Sequence, residues 1–175
     1  MSREVRRVPP SWEHPKGKDG EYVPLHDGSF SKEIALWDEG NKKWQEGFYL
    51  DKDEWQTKTR DMNNYSYEEW DIPRPVEVEY MPDWSESERT HYQMYESTTE
   101  GTPISPVMDS PESLARWLTD NKASAGAGRP ASYNAWLATI RAGWAASFEG
   151  PLDNLISGVE AQGRRSSSSV GPWIK

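Results

Sequence analysis

"RTHYQMYESTTEGTPISP", residues 89–106, is the stretch whose reading decides the fold. Side chains alternate across a strand, so an extended conformation puts His91, Gln93 and Tyr95 on one face and Tyr92, Met94 and Glu96 on the other. The run from Glu100 to Pro106 is rich in turn formers, and Pro103 cannot continue a central strand. Thr98, Thr99, Thr102 and Ser105 cluster at this turn, where they serve either a ligand through hydroxyl and backbone groups or the fold as a hinge. The sequence leans to the hinge.

Working outward, Val76-Glu77-Val78-Glu79-Tyr80 alternates strictly, the pattern of a half-buried strand, and is expected to pair with 90–98 across the 81–88 connection. Downstream, Ser110 caps a helix with Pro111 at its first position and Glu112 in its first turn; it runs to about 120 and buries Leu114, Trp117 and Leu118. Ser29 or Ser31 caps another over 31–47, with Phe30, Ile34, Trp37, Trp44 and Phe48 on one face. The strongest periodicity follows Ser132, where Tyr133, Trp136, Leu137, Ile140, Trp144 and Phe148 share a stripe over 132–148. Leu152, Leu155, Ile156 and Val159 suggest a further short helix broken near Gly158. Arg3 to Val8 and Glu21 to Leu25 read as short strands, and 51–75 as irregular with one helical turn.

The expected fold is therefore α+β, a small antiparallel sheet packed against three or four helices with long irregular aromatic-rich loops. The expected partition is an α+β domain over 1–121 with an acidic centre, a linker over 122–131, a C-terminal helical segment over 132–160 and a flexible tail over 161–175.

Composition narrows the function classes. Hydrophobic residues are only 34% of the 175, but ten tryptophans and eight tyrosines supply large buried areas, which favours a folded chain. There is no cysteine, so disulfides and thiolate metal sites are excluded. No run is long and apolar enough for a membrane span or a standard signal peptide, and a cytosolic setting is expected. The net charge of −9 is uneven. Asp and Glu against Lys and Arg number four and five over 1–25, nineteen and eight over 26–100, and six and seven over 101–175. An acidic middle repels nucleic acid phosphates and attracts basic surfaces.

Catalytic and metal motifs are sparse. His14, His26 and His91 are the neutral-pH base candidates, and none has the i, i+4 spacing that preorganises a helical metal pair. Ser29-Phe30-Ser31-Lys32 matches S-x-x-K without its companion motifs and reads as a helix cap. Asp51-Lys52-Asp53-Glu54 opens like a calcium loop, but Gln56 and Met62 stand where the turn glycine and the bidentate glutamate belong. No phosphate loop, dinucleotide fingerprint or nucleophile elbow occurs. No catalytic residue, metal ligand or cofactor is assigned.

What remains is a surface. Glu77 and Glu79 on one strand face would stand about 6.8 Å apart, and with Glu68, Glu69, Asp83, Trp84, Glu86 and Glu88 they form the candidate partner-binding set. Such a face either imitates the charge of a nucleic acid backbone or is simply solvated. Trp12, Trp55, Trp70, Trp84 and Trp173 lie in proline-rich or acidic loops, where they either fold back on a small core or meet a partner or a second copy of the chain.

"REVRRVPPSWEHP" (3–15), "YVPLHDGSF" (22–30), "MPDW" (81–84) and "ERTHYQMYESTTEGTPISPVMDSPESLARWL" (88–118) resemble a family of small uncharacterised proteins of tailed phages and prophages. The closing segment "YNAWLATIRAGWAASFEG" is only loosely similar to that of the family. The resemblance implies phage origin and transfers no catalytic residue. The expected function is a phage-encoded, non-enzymatic binding protein. Its target would be a host defence nuclease or nucleic-acid-binding complex, inhibited in the anti-CRISPR or anti-restriction manner. The expected partner is a host protein complex with a basic surface, met in the host cytoplasm, with no direct nucleic acid contact, no membrane and self-association as an option. The alternatives are a virion or assembly component and a hydrolase using a histidine and a carboxylate.

Overall fold

Residues 2–97, 101–150 and 155–168 are described by the structure, a computed structural model. In chain order they form β1 (Arg3–Val8), α1 (Phe30–Gln45), β2 (Phe48–Asp51), β3 (Glu54–Thr57), α2 (Tyr67–Trp70), β4 (His91–Glu96), β5 (Thr102–Pro103), α3 (Pro111–Asp120), α4 (Tyr133–Ala142), β6 (Trp144–Ala145), β7 (Phe148–Glu149), β8 (Ile156–Ser157) and α5 (Gly158–Ser168), with 3-10 turns at Asp61–Asn64 and Glu77–Glu79. The fold is α+β. The chain divides into two compact units, Met1–Pro24 with Trp84–Lys175, and Leu25–Asp83. These boundaries differ from the expected partition at 121, 131 and 160.

The first unit is organised by β4, which pairs antiparallel with β1 from Arg3↔Glu96 to Val8↔His91. The sheet order is β5-β4-β1-β6. The alternation read from the sequence holds. Met94, with Val5 and Tyr92 beside it, meets a core of Leu114, Leu118, Trp136, Ile140 and Val159 from the helices, while Gln93 and Tyr95 are buried on the opposite face. Burying an aliphatic side chain of that size contributes about 1.5–3 kcal/mol, so this cluster dominates the stability of the unit.

Both edges of β4 are occupied, which explains why 76–80 is not its partner. β1 takes one edge; β5 takes the other at Tyr95 and Glu96, and it is extended by Ile104 N–H to the Met94 carbonyl (2.8 Å) and by Tyr92 exchanging two bonds with Met108. The expected strand at 76–80 is a 3-10 turn with Val76 and Val78 exposed. Alternation marks a segment able to pair, and pairing also requires a free edge.

Helix α3 starts as expected, with Ser110 accepting from Ser113 N–H and Pro111 at the first position. Helix α4 is capped by Ser132 and stops at Gly143, whose φ of 86° is the left-handed conformation that ends helices. The expected helix to 148 is thereby shortened: Trp144 moves into β6, and both Trp144 and Phe148 are exposed. The segment after Gly158 is a full helix, α5, and its residues 161–168 lie within the expected tail. Leu152 and residues 169–175 lie outside the described residues. The expected linker at 122–131 is folded. Ala125 and Ala131 are buried, Ala125 N–H reaches the Arg129 carbonyl at 2.7 Å, and the Ser124 carbonyl receives Nε of the buried Arg3 at 2.7 Å. Two small apolar side chains fill the space between helices that a spacer would leave empty.

In the second unit α1 begins after Ser29, whose Oγ accepts from Lys32 N–H, and buries Trp37, Gly40 and Trp44. Each indole is anchored, Trp37 Nε1 to the Ile72 carbonyl (3.0 Å) and Trp44 Nε1 to the Tyr65 carbonyl (3.1 Å). Tyr67 packs against both rings, and a Cβ on Gly40 would overlap its hydroxyl, so glycine is needed there. Burial first, and then Asp71, push the Tyr67 hydroxyl up to about 12, which keeps it a donor to Asp71.

The residues that open like a calcium loop make a two-residue hairpin turn between β2 and β3, with Asp51 opposite Glu54. Lys52 (φ 48°) and Asp53 (φ 66°) are both left-handed, as the twist-matched hairpin turn demands, yet neither is glycine. The double substitution Lys52→Asn and Asp53→Gly is expected to stabilise this unit by about 1 kcal/mol, read as a raised denaturant midpoint at unchanged slope.

Candidate functional site

The first unit contains a cleft of about 930 Å³ whose walls include Trp12, Tyr22, Ile104 and Trp117 and whose buried polar lining is His14, Gln93 and Ser105. Segment 15–23 folds back on itself through Val23 N–H to the Pro15 carbonyl and Gly17 N–H to the Glu21 carbonyl, so the expected strand at 21–25 is reduced to a single bridge, Lys16↔Tyr22. This local closure brings His14, Lys16 and Tyr22 to one side. The opposite side is the stretch that organises the fold: Gln93 from β4, then Pro103 to Val107. The turn that reads as either ligand loop or hinge has a structural part here and also lines the cleft. Ser105 Oγ accepts from Met94 N–H (2.9 Å) and donates to the Pro106 carbonyl (2.9 Å), tying the loop to the strand while it lines the cleft. Thr98 and Thr99 lie outside the described residues.

Tyr95 is the hub of the polar floor. Its hydroxyl lies 2.9 Å from Gln93 Oε1 and 3.1 Å from His14 Nδ1, and it accepts from Trp12 Nε1 at 3.1 Å. His14 Nε2 donates to the Val23 carbonyl (2.6 Å), and Gln93 Nε2 donates to the Ser105 carbonyl (2.8 Å). The Arg6 guanidinium stacks over the Tyr95 ring at 4.3 Å and pairs with Glu4 at 3.2 Å. Burial above all, with Arg6 adding to it against the Val23 bond, holds the His14 imidazole below its ordinary value of 6.5.

The sign of the pH dependence follows. With the folded value depressed, the unfolded chain takes up the proton first, so stability is full above about pH 6.5 and falls as pH drops through that value. The depressed carboxylates, Asp83 and Glu88 among them, act in their own lower range. The denaturant midpoint is therefore expected to fall between pH 7.5 and 5.5 in the native protein, and to fall less in His14→Asn. Neither nitrogen of His14 bonds a carboxylate among the described residues: Nε2 faces the Val23 carbonyl and Nδ1 the Tyr95 hydroxyl. His26 packs on Tyr80, and His91 bonds Thr90 at 3.0 Å. Among the described residues no group of three His, Asp or Glu is placed to hold a metal ion, and no helix is long and apolar enough to cross a membrane.

The eight partner-binding candidates fall into distinct environments. Glu68, Glu77 and Glu79 are exposed, and their side chains make no hydrogen bond or ion pair among the described residues. Glu69 closes a capping box with Ser66, accepting from its N–H at 2.8 Å. Asp83 accepts from Ser31 Oγ (2.5 Å), which with Ser29 holds its carboxyl below the ordinary range. Glu86 pairs with Arg7 and Arg89, and Glu88 accepts from Ser85. Trp84 is half-buried, edge-on to Trp12 at 4.7 Å. The last three belong to the first unit and the other five to the second.

Sequence reasoning missed how strongly charge and exposed apolar surface coincide. Leu25–Asp83 carries fifteen Asp and Glu against seven Lys and Arg, and the rest of the chain fourteen against thirteen. Nine of the thirteen exposed large hydrophobics identified among the described residues lie in the same unit: Leu36, Phe48, Leu50, Trp55, Tyr65, Trp70, Ile72, Val76 and Val78. Trp70 stacks on the buried Trp44 at 5.5 Å, so one exposed ring is held rigidly. Compared with protein-family models, curated proteins and solved structures, the chain matches none.

Proposed function

We propose that the chain is a phage-encoded, non-enzymatic binding protein. Its acidic unit, Leu25–Asp83, docks on the basic surface of a host nucleic-acid-handling complex and keeps nucleic acid away. The observation that carries this reading is the coincidence, in one compact unit of 59 residues, of nearly all the chain's charge excess with most of its exposed large hydrophobics. Acidic groups steer toward a basic groove and exclude wrong partners, while rigid aromatic anchors supply the desolvated contacts that hold a complex. The side chains of Glu68, Glu77 and Glu79 make no hydrogen bond or ion pair among the described residues and are the ones to engage a partner's Lys and Arg. The phage reading rests on the resemblance of the N-terminal fifty or so residues and roughly residues 80–121, and with it we propose the host cytoplasm as the setting of the encounter.

The test is a tagged pull-down from infected host cells at low and high salt, with mass spectrometry of the retained proteins and the triple variant Glu68→Lys, Glu77→Lys, Glu79→Lys as control. The expected result is a host nucleic-acid-binding complex retained at low salt, released at high salt and lost with the variant. Retention of phage structural proteins alone would replace this reading with a virion or assembly role.

A further inference from the structure

The floor of the cleft in the first unit is one proton short. A carbonyl only accepts, so the Val23 carbonyl fixes the proton of neutral His14 on Nε2 and leaves Nδ1 a bare acceptor. By the same logic the Ser105 carbonyl fixes the Gln93 amide with its NH₂ toward the loop and Oε1 toward Tyr95. Tyr95 then has a single hydroxyl proton and two acceptors in reach, Gln93 Oε1 at 2.9 Å and His14 Nδ1 at 3.1 Å. Turning either end group to relieve the shortage would break the bond to its carbonyl. One acceptor on the floor is therefore always without a donor among the described residues, and both His14 and Gln93 line the open cleft.

We infer that this cleft is a binding site for a small uncharged ring compound carrying an N–H or O–H donor, seated between Trp12, Tyr22 and Trp117 with its donor on the His14–Gln93 floor. The volume suits one compact organic molecule. Aromatic and proline walls favour a planar apolar body. An anion is disfavoured because the floor offers bare acceptors, and a cation because the Arg6 guanidinium lies behind it over the Tyr95 ring. The remaining charges of the lining, Glu13 and Lys16, balance each other. This site is independent of the acidic unit and of the partner proposed for it.

The experiment titrates the full chain at pH 7.5 with matched probes that differ only in the donor: indole and 1-methylindole, phenol and anisole, benzamide and N,N-dimethylbenzamide. NMR follows the Gln93 side-chain amide and the indole N–H of Trp12 and Trp117. The expected result is saturable binding of at least one donor-bearing ring at these resonances, with its methylated partner at least about tenfold weaker. Ile104→Trp, which narrows the cleft, is expected to weaken binding, and Gln93→Met to erase the preference for the donor. No probe binding more tightly than about 10 mM, equal affinity for matched partners, shifts confined to residues outside the cleft, or affinity unchanged by both Ile104→Trp and Gln93→Met would overturn the inference.

Discussion

Gly163→Leu is expected to prevent α5 from docking on α4 and to remove the cooperative unfolding transition of the first unit. A Cβ added at Gly163 would stand 2.8 Å from Cα and 2.9 Å from Cβ of Ala135, atoms that cannot rotate aside, so the two helices would have to separate. Ordinary overpacking costs about 1–3 kcal/mol, and this case exceeds it because the collision is with a helix backbone. Gly163→Ala makes the sign diagnostic. Helix propensity alone would favour alanine by about 1 kcal/mol, so a stabilised Gly163→Ala variant in denaturant melts would mean that α4 and α5 do not cross as closely as the structure shows.

Arg3→Met carries the second large effect, a loss of about 3–5 kcal/mol. The Arg3 guanidinium is almost wholly buried, and burial pulls its pKa below the ordinary range despite Glu96, which lies 3.6 Å away. It also donates to the carbonyls of Ser2 and Ser124, so its removal strands a carboxylate and two carbonyl groups in a dry region. The double variant Arg3→Met with Glu96→Met is expected to recover a large part of that loss, because the uncompensated charge goes with its partner. A double variant no more stable than Arg3→Met alone would place the penalty on the carbonyls of Ser2 and Ser124 rather than on Glu96.

These two sites show what is legible in a sequence and what is not. Alternation within "HYQMYE" is local, and both faces of β4 came out as read. The caps at Ser29, Ser110 and Ser132 are local as well, since each hydroxyl acts on an N–H three residues on. The apolar spacing through Trp144 and Phe148 misled because it continued past Gly143, and one left-handed residue outweighs a periodic stripe. Val76 to Tyr80 misled because no edge of β4 was open to it.

The cleft was largely invisible. Its two sides come from residues 12–22 and 93–117, and only tertiary pairing brings them together. Its one trace was the hydroxyl-rich turn ending at Ser105. Charge needs no folding to be counted, so the acidic middle was evident from composition. Its confinement to Leu25–Asp83, together with most of the exposed aromatics, required the contacts that define that unit.

The most direct test of the role proposed for the acidic unit is the affinity of a host complex retained in the pull-down for the native protein and for the variant Glu68→Lys, Glu77→Lys, Glu79→Lys, measured across a salt series. The three side chains are exposed and make no hydrogen bond or ion pair among the described residues, so the variant is expected to keep its melting temperature. Binding at least about tenfold weaker at low salt and a flattened salt dependence are expected for the variant. Unchanged affinity and unchanged salt dependence in a folded variant would contradict the proposed role.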